Sequence, residues 1–323
     1  MTGGLRARLP LIAALACVVV WSTTYAVSVA VLHHASPAVL SVVRFGVAGV
    51  ALLPFAVRRP GFLRSLHSPH TIVLALCGVA LYYAFTNIGL AWTSAGAGAL
   101  SAAMTPVMTT VFAVILLRER LTARTAVGIG LTTIGVVIVG GAGLSVDVGL
   151  LLCLVGLAAY ALYVVLLRRR PPDVDAVVLG TTTTLWGAVL MAPWLLVEAG
   201  LGILRWPADL GTLGGILYEA VIVTAPTMIL FSYAAERLPA AISGITIAGI
   251  PVLGYVVALL FGEAWDPVKA LGGLVAMAGI AVATVSLPRR ARPAVSTAPE
   301  PSPEPSPEPD PGSWREDPLR DAA

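Results

Sequence analysis

Ten stretches of this chain, each about as long as a bilayer core is thick, carry almost no charge: 10–32, 37–57, 71–92, 95–117, 124–143, 148–167, 176–198, 211–231, 238–262 and 268–287. At about 1.5 Å per residue, roughly 20 apolar residues carry a helix across a core about 30 Å thick. Lipid offers no partner to an exposed N–H or C=O, so each stretch is predicted as an α-helix. From Thr71 to Leu117 there is no Asp, Glu, Lys or Arg, a run too long for one crossing, and Trp92-Thr93-Ser94-Ala95-Gly96 supplies the break. The span 211–231 is the most polar, with Glu219 and Pro226. The expected fold is an all-α polytopic membrane protein of ten transmembrane helices. Its hydrophobic share of 58% stands well above the roughly 45–50% of a soluble domain.

Arginine placement tests that count. Cytoplasmic loops carry an excess of Lys and Arg. With ten crossings and the N-terminus inside, the cytoplasmic segments close to the spans hold fifteen arginines, among them Arg58, Arg59, Arg64, Arg118, Arg120, Arg124, Arg168, Arg169 and Arg170, and the other side holds only Arg205 and Lys269. Omitting one span would invert every later loop. The expectation is a multi-pass protein of the cell membrane with both termini cytoplasmic. The first apolar stretch, Leu9 to Leu32, exceeds the 7–15-residue core of a secretory signal and reads as a retained helix.

The spans fall into two sets with matching landmarks. Pro106, Glu119, Gly128 and Gly135 correspond to Pro251, Glu263, Gly272 and Gly279, and the Glu-to-Gly intervals are nine and sixteen residues in both sets. Five crossings separate the sets, so the second lies inverted relative to the first, the architecture of secondary transporters. The expected domains are a short N-terminus 1–9, a first five-helix repeat 10–143, a second 148–287 and a tail 288–323. The tail is rich in Pro, Ser, Glu and Ala, a composition of extended, solvated chain.

Other functions lack their residues. The single lysine, Lys269, and a net charge of +3 leave no basic face for nucleic-acid phosphates. No phosphate-binding Gly-x-x-x-x-Gly-Lys loop and no His-Glu-x-x-His helix occurs. His67 and His70 sit in a short loop, and Cys17, Cys77 and Cys153, widely spaced in apolar spans, read as packing residues. No cofactor and no metal are expected, and an enzyme is not. The expected partners are a small-molecule substrate and the lipid bilayer, with a homodimer left open.

Charge inside a span is costly and marks candidate function. Arg44 in the second span and Glu219 in the eighth lie eight to nine residues from the same side and could pair. One reading makes them a static ion pair. The other makes Arg44 a ligand for an anionic group and Glu219 a proton-titrating partner. Trp21, Pro106, Tyr160 and Pro251 share a depth of roughly 15–20 Å from a helix start, near the midplane. Pro106 and Pro251 are expected to kink their helices and free carbonyls. Tyr25, Tyr82, Tyr83, Asn87 and Tyr163, with the run Thr181 to Thr184, complete a set that could line a cavity. Gly128, Gly135, Gly272 and Gly279 fit close helix packing instead.

Several short motifs, in order, resemble the drug/metabolite transporter superfamily, and in particular EamA-type proteins with two EamA repeats. They are Trp21-Ser22-Thr23-Thr24-Tyr25, Pro37 with Arg44-Phe45, Gly89-Leu90-Ala91-Trp92-Thr93-Ser94-Ala95, Thr105-Pro106-Val107, Leu117-Arg118-Glu119-Arg120-Leu121-Thr122, Ile250-Pro251-Val252 and Phe261-Gly262-Glu263. The resemblance spans roughly residues 10–287. It implies ten helices around a central cavity and, usually, export of small metabolites across the cytoplasmic membrane. Two positions depart from the family pattern: Trp21 is followed by Ser22 where glycine is frequent, and Glu219 occupies the eighth span. Export of an amino acid, related compound or drug-like solute by alternating access is thus the expected function. Import by the same fold, and a scaffold acting through the Pro-rich tail, are the alternatives.

Overall fold

Helices in this chain begin where the first orphan N–H groups are satisfied or missing. A computed structural model describes residues 2–141, 147–168, 174–235, 237–238 and 246–284, all within the unit Met1–Val285. In order the helices are α1 (Thr2–Leu32), α2 (Pro37–Ala56), α3 (Pro69–Leu90), α4 (Ala95–Leu117), α5 (Ala123–Gly140), α6 (Val148–Leu167), α7 (Ala176–Gly200), α8 (Leu210–Ala234), α9 (Ile250–Leu260) and α10 (Pro267–Thr284). A short helix, Phe62–Leu66, lies between α2 and α3. Proline opens α2 and α3, where its absent N–H costs nothing. The second set is capped by aspartates: Asp147, Asp175 and Asp209 accept from backbone N–H groups in the first turns of α6, α7 and α8.

Eight of these helices, α1 to α8, are long and apolar enough to cross a membrane, and α9 and α10 are shorter apolar helices. The start of the expected ninth span, 239–245, and the end of the tenth, 285–287, lie outside the described residues, as do Arg169, Arg170 and the tail 288–323. The expected weak span 211–231 is present as Leu210–Ala234. Large apolar side chains point outward on many helices, Leu196, Leu210 and Leu260 among them. In water such a surface would be an association site; in lipid it is solvated.

The prolines expected to kink their helices each follow a break in the helical ladder. A turn at 102–103 breaks α4, and a turn at 248–249 precedes α9. Pro106 and Pro251 fall in the first turn after each break, and their missing N–H leaves the carbonyl four residues earlier, at or beside the break, without its α-helical donor. Two further irregularities interrupt α3 and α8, which contain π-helical turns at Leu76–Leu81 and Glu219–Thr224. Both break positions and both π-turns recur at corresponding places in the two repeats.

Packing reproduces the same symmetry. A Cβ on Gly128 would stand 2.7 Å from the Gly279 carbonyl oxygen, and one on Gly135 would stand 2.5 Å from that of Gly272. Gly128 corresponds to Gly272 and Gly135 to Gly279, so each contact maps onto the other when the repeats are exchanged, and α5 and α10 run antiparallel. Without a hydrophobic drive between helices in lipid, association rests on such close backbone approach. Cys17, Cys77 and Cys153 are buried and free.

The helix ends segregate by charge. At one end Arg59 pairs with Asp175 and Arg168 with Glu119. At the other, Arg205 donates to the Leu32 and His33 carbonyls, Thr93 to Asp147, and the Gly96 N–H to Glu263.

Candidate functional site

The π-turn of α8 begins at Glu219 and ends at Thr224. A π-turn reaches five residues back instead of four and so leaves groups of the ladder to be satisfied otherwise. Thr224 Oγ1 donates to the Glu219 carbonyl at 2.8 Å. Arg44, projecting from α2, spans both ends of the turn: Nη1 donates to Glu219 Oε2 at 2.5 Å and Nε to Thr224 Oγ1 at 2.9 Å. Ser28 of α1 donates to the other carboxylate oxygen at 2.7 Å. Arg44 and Glu219 are 2% and 0% exposed. Removing two such charges from water costs several kcal/mol each, by order of magnitude, and only a fully satisfied geometry offsets it. Both Glu219 oxygens are engaged. Among the described residues Arg44 Nη2 makes no hydrogen bond, and it is not among the buried polar atoms left without a partner.

An aromatic band leads away from this cluster. The Arg44 guanidinium carbon lies 4.7 Å from the Tyr83 ring centre and 5.2 Å from that of Phe45, within cation–π range. Ring centres then follow at 4.4 Å for Phe45 and Tyr83, 4.5 Å for Tyr83 and Tyr82, 5.0 Å for Tyr82 and Tyr160, and 5.5 Å for Tyr160 and Tyr163. The band crosses from α2 over α3 to α6. All four tyrosines are part-exposed although they sit mid-helix. Tyr25 of α1 is buried within electrostatic reach of Tyr82.

The remaining expected site residues are dispersed. Trp21 donates from Nε1 to Thr227 Oγ1 at 3.0 Å and packs on Phe231, both of α8. Asn87 is buried, its amide donating to Ser41 Oγ at 2.8 Å, which ties α3 to α2. Pro251 is buried in α9, and Pro106 borders a cavity of about 80 Å³ between α4, α5 and α10. Thr181 to Thr184, expected to line a cavity, are buried with each hydroxyl donating to a carbonyl of α7 itself. Sequence reasoning missed Ser28 and Thr224, because neither a π-turn nor a serine facing another helix leaves a periodic trace. Glu198, the last residue of the expected span 176–198, is buried near the end of α7. Glu198 Oε1 accepts from Ala38 N–H at 3.1 Å in the first turn of α2, where the helix dipole favours an anion.

A second cavity, about 610 Å³ and open, runs between α1 and α8 from His34 and Asp209 down to Thr23 and Tyr218. Its deep end is the hydrogen bond between the Thr23 and Tyr218 hydroxyls, 2.9 Å, one residue from Glu219. Hydrogen bonds from the Thr212 hydroxyl and N–H hold the Asp209 carboxyl below its usual range at the mouth.

Comparison with known proteins agrees with this architecture. The EamA-like transporter family matches the chain twice, over residues 8–141 and 147–285. An uncharacterized transporter of Bacillus subtilis (strain 168), YyaM, is 25% identical over 77% of this chain and 85% of its own length. A probable terminal-alkyne amino-acid exporter of Streptantibioticus cattleyicolor is 27% identical over 81% of this chain and 89% of its own. An uncharacterized transporter of Archaeoglobus fulgidus is 24% identical over 57% of this chain, a match spanning 66% of that relative. A protein of known crystal structure shares the fold at a TM-score of 0.62 and 21% identity, covering 85% of this chain and 96% of that one.

Proposed function

Since the chain belongs to the EamA-like transporter family, a multi-pass membrane transporter, we propose that it exports a small solute bearing a carboxylate and an apolar or aromatic body. The observation that carries this reading is the half-used guanidinium of Arg44. Two of its nitrogens hold Glu219 and Thr224, and Nη2 remains beside a band of part-exposed tyrosines. A carboxylate there gains a charge-assisted hydrogen bond, and the rings bury the rest of the solute. Solute and Glu219 then compete for one cation. When the solute anion binds, Glu219 loses part of its compensation and takes up a proton, since burial disfavours an isolated carboxylate. When the solute leaves, Glu219 returns to Arg44 and releases the proton. Proton movement is thereby linked to solute movement, and the two repeats alternate around the site. The arginine-rich end faces the cytoplasm, following the loop charge asymmetry.

The kinship with a probable amino-acid exporter is consistent with a carboxylate-bearing solute. Metabolite profiles of cells with and without the gene would name candidates, and uptake into proteoliposomes would test them. Arg44→Gln is expected to abolish saturable uptake, and Glu219→Gln to leave exchange while removing its dependence on pH. Unchanged uptake in Arg44→Gln would refute the anchor.

A further inference from the structure

Helix α4 is tethered to the second repeat at both ends, by glutamates that correspond in the two repeats. At the arginine-rich end Glu119 Oε1 accepts from Arg168 Nη1 of the α6 terminus at 2.7 Å. At the far end Glu263 accepts from the Gly96 N–H at 2.7 Å through one oxygen and from Lys269 Nζ at 2.9 Å through the other. Lys269 also donates to Ser94, the residue that caps α4, at 2.9 Å. Each glutamate directly follows a residue in the left-handed region, Arg118 at φ 55° and Gly262 at φ 96°, which turns it off the helix end.

The two tethers differ in their surroundings. Glu119 and Arg168 are each 50% exposed, whereas Lys269 and Glu263 are 18% and 16% exposed. Packing behind them follows the same division. Every residue of the α4 segment Ala95–Ser101 is buried. A Cβ on Gly96 would stand 2.7 Å from the Tyr255 ring, and one on Gly254 2.7 Å from Ala99 Cβ, so α4 and α9 touch backbone to side chain there. Beyond the break at 102–103, the segment Met104–Leu117 buries only Val107 and Ala113. The far end of α4 is packed closely against α9, and beyond the break the helix buries fewer residues.

We propose that the Glu263, Lys269, Ser94 and Gly96 cluster is the latch of a gate between α4 and α9, closed in this structure, with the break at 102–103 as its hinge. The Glu119–Arg168 pair is the weaker counterpart at the opposite end. The proposal rests on the alternating-access reading above, but its test needs no solute.

Nitroxide labels at Trp92→Cys and Trp265→Cys, both exposed and flanking the latch, report its opening as a distance distribution in detergent or nanodiscs. The native thiols are buried and stay unlabelled. The otherwise unaltered protein is expected to give one short distance with a longer minor component of roughly 1–10%. Glu263→Gln is expected to make the longer component the majority, and Glu119→Gln to leave the short distance dominant. Lys269→Met, which keeps the Gly96 bond, is expected to fall between them and serves if Glu263→Gln does not fold. Distributions of monodisperse Glu263→Gln or Lys269→Met that match the unaltered protein would overturn the latch. A latch that opens as expected in a protein for which no solute flux is found would stand, and only the transport reading would fail.

Discussion

The π-turns of α3 and α8 occupy corresponding places in the two repeats and hold opposite kinds of contact. In α3 the turn is Leu76-Cys77-Gly78-Val79-Ala80-Leu81, wholly apolar, and Gly78 lies against the Tyr163 ring. In α8 it is Glu219-Ala220-Val221-Ile222-Val223-Thr224, and its two polar ends are clasped by Arg44. The shared feature is the backbone, a widened turn near mid-membrane. The difference is the chemistry placed on it, a packing joint in one repeat and a charged clasp in the other. The duplicated scaffold thus repeats the backbone feature, while only the α8 turn carries an acid, clasped by Arg44 of the first repeat. The same divergence recurs at the ends of α4 and α9, where Arg118 and Gly262 share a left-handed conformation.

Breaking the clasp should have the largest effect. Glu219→Leu leaves Arg44 buried without its anion and is expected to cost about 3–5 kcal/mol in thermal unfolding, with transport lost. Adding Arg44→Leu should restore most of the stability but no transport, because both charges are then absent. If the double variant is as unstable as the single, the clasp is not what the pair contributes. In α3, Gly78→Ala places a Cβ 2.5 Å from the Tyr163 ring and should cost roughly 1–3 kcal/mol, equally at every pH. A pH-dependent cost at Gly78 would erase the contrast between the two turns.

Smaller effects sharpen the comparison of helix ends. A left-handed arginine is strained by about 1–2 kcal/mol relative to glycine, so Arg118→Gly should raise stability by about 1 kcal/mol. No gain would mean that Arg118 makes contacts worth its strain. Glu263 tests the acid limb. Burial raises its carboxyl pKa, but bonds from Lys269, the Gly96 N–H and Ser94 outweigh it and hold the group below its ordinary value. A folded pKa below the unfolded one gives stability that is present above the unfolded pKa and lost as pH falls through the folded one. Melting temperatures measured from neutral pH down through that window should fall less steeply in Glu263→Gln. Parallel curves would show that the latch is not anionic.

Much of this architecture was legible in the sequence because lipid imposes length and charge rules on every span. The apolar stretches, the Pro106 and Pro251 correspondence, and the seven-residue glycine spacing of α5 and α10 all follow from those rules, and so did the pairing of Arg44 with Glu219. What lay hidden depends on contacts between helices. A π-turn inserts one residue without changing composition, so Thr224 could not be seen to return to Glu219, nor Ser28 to face it. Thr181 to Thr184 show the converse: a hydroxyl that bonds its own helix looks, in sequence, like one that faces a cavity. Pro106 and Pro251 carried the signal of a kink, whereas the turns before them, Ala102-Ala103 and Ala248-Gly249, are small residues that do not mark where each break falls.

The central claim is that a solute anion and Glu219 share Arg44. Internal pH recorded in proteoliposomes, as a carboxylate solute identified by metabolite profiling is added, tests it most directly. The unaltered protein should move protons with the solute, Glu219→Gln should exchange solute with no proton signal, and Arg44→Gln should do neither. Proton movement that persists in Glu219→Gln, or saturable solute flux that persists in Arg44→Gln, would contradict it.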